Sequence, residues 1–166
     1  KRGNAEYFLG IDGGGTKTEF LLCSGDTVIA SVILGESNAC DTGMENSLSV
    51  LQNGIRLACG SIPLSSVWMH AGLAGFKSGN NSRIYENFFS EFGFAGFSCD
   101  SDNSNVIAAG PGFGDGLTVI MGTGFCIYKV IGGNKQPIGG WGYFFDEGGS
   151  AFNIGRQALS AYFSSE

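Results

Sequence analysis

An α/β protein is the fold class that the sequence predicts, with three strands first and helices alternating with strands afterwards. Three observations support it: short apolar runs bounded by turn residues, longer segments with apolar residues at helical spacing, and 29 glycines gathered in short clusters. The predicted order is βββαβαβα, followed by the start of a second such unit. With 43% hydrophobic and 14% charged residues, the chain can bury a core and does not resemble a disordered segment.

The first three strands are indicated by apolar runs that end at turn residues. They are predicted at residues 7–11, 18–23 and 27–34. The sequence Ser24-Gly25-Asp26 supplies the turn between the second and third strands. We therefore expect the chain to begin with two consecutive hairpins.

The first long helix is predicted to begin near Thr42, because Thr42 and Glu45 match the capping-box pattern. Its apolar stripe consists of Met44, Leu48, Leu51, Ile55 and Ala58. A strand at 67–71, a helix at 82–92, a strand at 97–100 and a short helix at 104–109 are predicted to follow. In the helix at 82–92, the buried face is expected to consist of Ile84, Phe88 and Phe92.

A glycine-rich break with the sequence GPGFGDG ends this alternation. Strands are predicted at 117–121 and 125–131, and a helix at 150–163. The turn MGTGF between these strands is similar to the first turn, IDGGGTK, which indicates a weak internal repeat. We therefore expect a first domain over residues 1–115 and, over residues 116–166, the beginning of a second domain that is cut short.

Charge and composition exclude several classes of partner. The net charge of −6 argues against non-specific binding to nucleic acid or anionic lipid. No apolar run approaches the ~20 residues of a transmembrane helix. The five cysteines form no CxxC pair, which is typical of reduced thiols in a cytoplasmic protein. We expect a cytoplasmic protein with neither nucleic acid nor membrane as a partner.

A carboxylate and three glycines stand between the first two strands in the stretch YFLGIDGGGTKTEF. The G-x-G-x-x-G spacing of dinucleotide-binding turns and the P-loop spacing are both absent, and the segment that follows is a strand, not a helix. Backbone N–H groups in such a hairpin turn can surround phosphate oxygens. Asp12 beside an anion site implies a cation, Mg²⁺, between the two. An ordinary glycine-rich hairpin is the alternative at this point.

The combination of strand–DGGGT–strand with a second G-T-G hairpin resembles the actin, heat-shock ATPase and sugar kinase superfamily, in which two ribonuclease-H-like halves enclose ATP. Within it, the chain is similar to the N-acetylglucosamine kinase branch, or BadF/BadG-type ATPases. The matching segments are GIDGGGTKTE, ESNAC, GLAG, DSDNSNVIAAG, MGTGF and GGWGYFFDEGGSAFNIGRQAL. They imply a ribonuclease-H-like, actin-like ATPase domain and the start of another.

The resemblance also implies the residues that bind ATP and its metal. The phosphate-binding residues would be Gly13, Gly14, Gly15, Thr16 and Lys17 in the first turn and Gly122, Thr123 and Gly124 in the second. Asp12 would be the Mg²⁺ ligand. Lys17 has the alternative of a solvated charge at the end of a strand.

Asp102 matches the family's catalytic base, a carboxylate at the end of a strand where a helix opens, with Asp100 as a competitor. Such a carboxylate can accept the proton of a sugar hydroxyl as phosphoryl transfer proceeds. The structural alternative for Asp102 is a helix N-cap.

The sugar-binding residues implied by the resemblance are Asn38, Asp102, Gly140, Trp141, Gly142 and Glu147. Asp146 competes with Glu147, because the family's G-D-E-G-S is replaced here by FDEGGS. The alternatives are a loop Asn for Asn38 and a core residue for Trp141.

The function that the resemblance implies is phosphorylation of an amino sugar, N-acetylglucosamine at its 6-hydroxyl, with MgATP. We expect a homodimer whose other partners are the sugar and ATP. Kinases of this type are longer, so the given chain is expected to be incomplete for activity. The alternatives are the ATPase activator of a 2-hydroxyacyl-CoA dehydratase and a non-catalytic sugar-sensing module.

Overall fold

The computed structural model describes residues 5–109, 114–122, 124–141, 145 and 148–165 of the chain. The chain forms two compact units, Lys1–Asn105 and Val106–Glu166. The division falls inside a short helix, and the domain boundary near Asp115 stays a prediction.

The first unit contains one five-stranded sheet. Its strands are β1 (Tyr7–Gly13), β2 (Thr18–Ser24), β3 (Thr27–Leu34), β4 (Val67–Leu73) and β5 (Gly96–Ser101). They lie in the order β3-β2-β1-β4-β5. The β1–β2 and β2–β3 pairs are antiparallel, whereas β4 and β5 continue parallel to β1. The carboxyl ends of β1, β4 and β5 therefore meet at one edge of the sheet.

The helices of the first unit are α1 (Ala39–Thr42), α2 (Met44–Cys59) and α3 (Asn81–Ser90), and α4 (Asn103–Ala109) crosses into the second unit. A 3₁₀ turn, Leu64–Ser66, precedes β4. The predicted order βββαβαβα is confirmed, with α1 as an additional short helix.

One face of this sheet forms the core. Alternate residues of the strands are buried there, including Leu9, Ile11, Phe20 and Leu22, together with Leu51 and Ile55 from α2. Gly54 of α2 is essential to this packing, because a Cβ atom there would lie 2.0 Å from the Phe20 ring.

Two local predictions are wrong. Thr42 does not cap α2: it is the last residue of α1, its hydroxyl donates to the Asn38 carbonyl at 3.2 Å, and Gly43 is the N-cap of α2. The fully buried residues of α3 are Tyr85 and Phe89, whereas Phe88 and Phe92 pack at the margin of the core. The Tyr85 ring stacks on Phe76, and its buried hydroxyl is satisfied by Ser47 Oγ at 2.8 Å.

The second unit contains a three-stranded antiparallel sheet, β6 (Gly116–Met121), β7 (Phe125–Ile131) and β8 (Asn134–Gly139), and the helix α5 (Ala151–Phe163). Ser150 caps α5 by accepting a hydrogen bond from the Asn153 N–H at 3.1 Å. The sequence left open whether this unit has two or three strands and did not place β8, because β8 is polar, contains Pro137 and is exposed over most of its length.

Candidate active site

Strand register places two acidic residues, Asp12 and Asp100, at the same edge of the first unit's sheet. Asp12 of β1 is level with Gly72 of β4, which is level with Asp100 of β5. Asp102 follows β5 directly and precedes α4. In a parallel arrangement of this kind, ligands typically bind outside the carboxyl ends of the strands.

The glycine turn after Asp12 closes the β1–β2 hairpin. The Gly14 N–H donates to the Lys17 carbonyl at 3.0 Å, so it is already used within the turn. Within the described residues, the N–H groups of Gly15, Thr16 and Lys17 have no protein acceptor, and these three residues are exposed. These three N–H groups are therefore the turn's available donors for a phosphate.

The three glycines have different physical reasons to be glycine, and none has a positive φ. A Cβ atom on Gly13 would lie 2.6 Å from Leu73 Cδ2 and 2.7 Å from Ser37 Oγ, which packing forbids. On Gly14 it would lie 3.1 Å from the Lys17 carbonyl, whereas on Gly15 it would meet only Asp41 Oδ2, at 3.5 Å. Local space therefore explains Gly13 and partly Gly14, but leaves Gly15 without a structural reason.

Lys17 forms an ion pair with Glu19 on the exposed side of the hairpin. The hydrogen bond and the charge of Glu19 raise the pKa of the Lys17 ammonium, so Lys17 stays protonated at neutral pH. The ammonium group has further N–H donors beside the one that contacts Glu19, and a role for Lys17 in phosphate binding stays a prediction.

Asp102 is half-buried at the start of α4. Burial raises the pKa of its carboxyl group, the hydrogen bond from the Asn103 N–H (2.9 Å) opposes this, and the charge of Asp12 raises the pKa further. A raised pKa makes the carboxylate a better proton acceptor. An N-cap side chain typically bonds the second or third helical N–H, whereas the Asn103 N–H is the first.

Asp100, the competing carboxylate, has different neighbours. Its Oδ1 lies 3.3 Å from Lys77 Nζ and accepts a hydrogen bond from the Ser101 N–H at 2.7 Å. These contacts hold the Asp100 carboxylate against a cation and a backbone donor. The assignment of Asp102 as the base, with Asp100 as its competitor, stays a prediction.

We expect Asp102→Asn to keep or raise the melting temperature at pH 7. The folded-state pKa of Asp102 lies above the unfolded value, so the stability that this group contributes is present at low pH and is lost as the pH rises through the folded-state pKa. Asparagine removes the charge yet retains an acceptor for the Asn103 N–H. Thermal unfolding should show that any gain in the variant's melting temperature over the wild type is present at pH 7. That gain should disappear below about pH 4, where Asp102 of the wild type is itself protonated. A lower melting temperature at pH 7 would identify the carboxylate as a structural cap.

Asn38 is the N-cap of α1. Its Oδ1 accepts a hydrogen bond from the Cys40 N–H at 3.2 Å and its amide nitrogen donates to the carboxylate of Asp41. Gly75 leaves room for this amide, since a Cβ atom there would lie 2.4 Å from Asn38 Oδ1. Asn38 thus has a structural role, and its amide keeps one further N–H donor for a sugar contact, which stays a prediction.

Hydroxyl groups connect the Asn38 loop to the glycine turn. Thr18 Oγ1 donates to Ser37 Oγ at 2.8 Å, and the Ser37 N–H donates to the Gly14 carbonyl at 3.1 Å. Ser47 Oγ donates to the Ser37 carbonyl at 2.6 Å. These bonds fix the distance between the candidate phosphate turn and the candidate sugar loop.

Three residues near the site carry contacts that the sequence did not predict. Asp41 lies beside Gly15, and Asn105 bonds Asp12. His70 is half-buried, with Nδ1 2.7 Å from Ser98 Oγ and Nε2 3.2 Å from Ser104 Oγ. Asp41 and His70 lie outside the matched segments, and Asn105 lies within the segment DSDNSNVIAAG, whose sequence gives no sign of a contact with Asp12.

The second glycine turn lies between β6 and β7. The Gly122 N–H donates to the Gly124 carbonyl at 2.9 Å, and the Gly122 carbonyl accepts from the Ala151 N–H at the start of α5. Both glycines are exposed with open space where a Cβ atom would be. Thr123, between them, lies outside the described residues.

The predicted sugar motif of the second unit is described only in part. Gly140 has φ 101°, and a Cβ atom there would lie 2.4 Å from Cys126 Cβ, so the position requires glycine. Trp141 is 69% exposed, so its indole is accessible in the part of the chain that the structure describes. Gly142, Asp146 and Glu147 lie outside the described residues.

The donor set at Asp12 fits a magnesium ion. Mg²⁺ prefers oxygen ligands and is usually held through one or two carboxylates, waters and substrate phosphates, so it needs no cage of protein ligands. Asp12 is exposed and lies directly before the glycine turn. In the described part of the chain, no three His, Cys, Asp or Glu side chains cluster as a metal site, and no helix is long and apolar enough to cross a membrane.

Comparison with known proteins finds similarity to an ATPase family and to proteins named as sugar kinases. The model of the BadF/BadG/BcrA/BcrD ATPase family matches residues 9–165. An N-acetylmuramic acid/N-acetylglucosamine kinase of Clostridium acetobutylicum is 32% identical over 162 residues, which cover 94% of this chain and 53% of the relative. The chain thus spans about half the length of the curated relative that it matches.

Two solved structures share the fold. A candidate N-acetylglucosamine kinase of Chromobacterium violaceum superposes with a TM-score of 0.75 at 27% identity, covering 95% of this chain and 57% of that one. A second candidate N-acetylglucosamine kinase, from Porphyromonas gingivalis, gives a TM-score of 0.78 at 17% identity over 95% and 56% of the two chains, and shows the fold alone. The predicted actin-like ATPase fold is confirmed. Because the family match spans nearly the whole sequence, the chain belongs to the BadF/BadG/BcrA/BcrD ATPase family.

Proposed function

We propose that the full-length protein is an ATP-dependent amino-sugar kinase that phosphorylates the 6-hydroxyl of N-acetylglucosamine. The observation that carries this proposal is the half-buried Asp102, whose pKa is raised, on the sheet edge that also holds Asp12 and the glycine turn. Transfer from ATP to an alcohol needs a proton acceptor for the alcohol and donors for the phosphates. The first unit supplies groups of both kinds.

Each residue has a role in this proposal. The N–H groups of Gly15, Thr16 and Lys17 bind phosphate oxygens, and Asp12 holds Mg²⁺, which when bound neutralises charge on the phosphates. The Asp102 carboxylate accepts the proton of the sugar hydroxyl. In the second unit, the residues proposed to bind phosphate are Gly122, Thr123 and Gly124.

The sugar-binding roles rest on the family resemblance and on accessibility. Asn38 is one sugar contact, and the exposed face of Trp141 is a second. The other residues proposed to bind the sugar are Gly140, Gly142 and one carboxylate, Glu147 or Asp146. The Clostridium relative is named for both N-acetylmuramic acid and N-acetylglucosamine, so both sugars belong in any substrate test.

Two other functions compete within the same fold. An ATPase activator of a 2-hydroxyacyl-CoA dehydratase would need cysteines for an iron–sulfur cluster, and Cys126 is the only cysteine that follows the second glycine turn in this sequence. A non-catalytic sugar sensor would bind the sugar without turnover. A homodimer, a cytoplasmic location and a lack of nucleic-acid or membrane partners stay predictions.

We expect ADP release by the full-length protein to depend on an added amino sugar. The assay compares N-acetylglucosamine, N-acetylmuramic acid, glucosamine and glucose at equal MgATP. A sugar-dependent rate supports the kinase. Sugar-independent ATP hydrolysis would favour the activator, and sugar binding without ADP release would favour the sensor.

A further inference from the structure

Asn105 connects α4 to the end of β1, although the two positions are 93 residues apart. Its Nδ2 donates to Asp12 Oδ1 at 2.7 Å and to the Ile11 carbonyl at 3.2 Å. Its backbone N–H donates to the Asp102 carbonyl at 3.1 Å. One residue therefore contacts the candidate metal ligand and the residue that carries the candidate base.

We propose that Asn105 is a positioning residue, which holds the Asp12 carboxylate in the orientation that receives the cation of the nucleotide. The bond to Asn105 occupies Oδ1 of Asp12. The other oxygen, Oδ2, has no protein donor within the described residues, so it is available to a cation or to its water ligands. Groups that orient a metal-binding carboxylate are typically worth about 10–100-fold in metal affinity or activity.

The side-chain amide suits this position for a chemical reason. Two acceptors, a carboxylate oxygen and a backbone carbonyl, face Nδ2, and only a group with two hydrogens can satisfy both. Aspartate has the same shape but would bring a second negative charge against Asp12 and donate nothing. Replacing the amide by a carboxylate therefore removes the bond and adds repulsion.

Gly72 of β4 makes room for this contact. A Cβ atom on Gly72 would lie 2.4 Å from Asn105 Nδ2 and 2.6 Å from its Cγ and Oδ1. Any side chain at position 72 would therefore displace the amide from Asp12. Gly72 has no positive φ, so steric room, and not backbone conformation, is the reason for glycine here.

A double-mutant cycle tests the contact itself by thermal unfolding. Gly72→Ala alone should destabilise the full-length protein, because the new methyl group collides with Asn105. In the Asn105→Ala background the collision partner is absent, so Gly72→Ala should cost much less than in the wild type. Equal costs in the two backgrounds would show that Asn105 does not occupy this position, and would overturn the proposal.

The positioning role is tested by the affinity for Mn²⁺ in the presence of ADP, measured by electron paramagnetic resonance. We expect Asn105→Asp to weaken Mn²⁺ binding by about 10–100-fold. Ser104→Ala is the matched control. Ser104 lies next to Asn105 on α4, and its hydroxyl contacts His70, not Asp12. Its Mn²⁺ affinity should stay within about threefold of the wild type.

Two results would overturn the proposal: unchanged Mn²⁺ affinity in a folded Asn105→Asp variant, or an equal loss in Ser104→Ala. The proposal rests on the proposed function only in regarding Asp12 as a cation ligand. If the wild type binds Mn²⁺ with ADP but phosphorylates no sugar, the kinase assignment fails while the comparison of variants still decides the role of Asn105. In an active kinase, Asn105→Asp should also raise the Mg²⁺ concentration for half-maximal rate more than it raises the KM for the sugar.

Discussion

Asp102→Asn in the full-length protein is expected to lower kcat by about 10²–10⁴ while sugar affinity changes only a few-fold. The neutral amide keeps the shape of the side chain and its bond with the Asn103 N–H, but it accepts no proton from a sugar hydroxyl. Steady-state kinetics with N-acetylglucosamine, together with calorimetric titration of the sugar, separates the two effects.

Asp100→Asn is the matched control for this variant. Asp100 lies two residues earlier and pairs with Lys77, so its loss should disturb an ion pair on the surface and leave kcat within a few-fold of the wild type. A near-normal kcat for Asp102→Asn with a large loss for Asp100→Asn would transfer the role of the base to Asp100.

Gly15→Val is expected to weaken nucleotide binding by at least about tenfold, equivalent to ~1.4 kcal/mol. Position 15 has no positive φ and has space for a Cβ atom, so the turn itself should survive. The branched side chain would instead lie beside the N–H groups that are proposed to bind phosphate. Gly14→Val should also weaken ATP binding. Because a Cβ atom at position 14 would crowd the Lys17 carbonyl, distortion of the turn would be a second cause of that loss.

Gly35→Val provides the control for Gly15→Val. Gly35 is an exposed glycine with no positive φ and no atom within 4 Å of its Cβ position, and its loop follows β3. Calorimetric titration of both variants and of the wild type with ATP compares the effect of the same added side chain in two loops. If Gly15→Val retains the wild-type affinity, the glycine turn is only a hairpin.

Local patterns were sufficient for most of the first unit. Strand β3 begins and ends where the apolar run does, and Asp12 and Asp102 both stand directly beside strand ends that the sequence marks. The roles proposed for these residues came from short motifs, which contain neighbouring residues and their spacing. The sequence therefore predicts the part of the site whose residues lie within such motifs.

Tertiary contacts determine what the sequence did not predict. The capping box at Thr42 was wrong because Asn38, four residues earlier, begins a separate short helix. Tyr85 stacks on Phe76 and bonds Ser47 on another helix, contacts that no apolar periodicity can indicate. Asn105 bonds Asp12 across 93 residues, and an asparagine in the first turn of a helix carries no signal of such a partner.

The second unit shows a different limit. Strand β8 pairs with β7 although it lacks an alternating apolar pattern, because Gly132 and Gly133, both with positive φ, form a tight turn that returns the chain along β7. Turn geometry and backbone pairing thus define this strand, and hydrophobic periodicity gives no information about it.

The most direct test of the proposed kinase activity is sugar-dependent phosphoryl transfer by the full-length protein, with the product identified by ³¹P and ¹H nuclear magnetic resonance. We expect ADP and N-acetylglucosamine 6-phosphate in equal amounts, with product formation nearly abolished in Asp102→Asn although the variant still binds the sugar. ATP hydrolysis at the same rate with and without every sugar tested, and no phosphorylated sugar, would contradict the assignment.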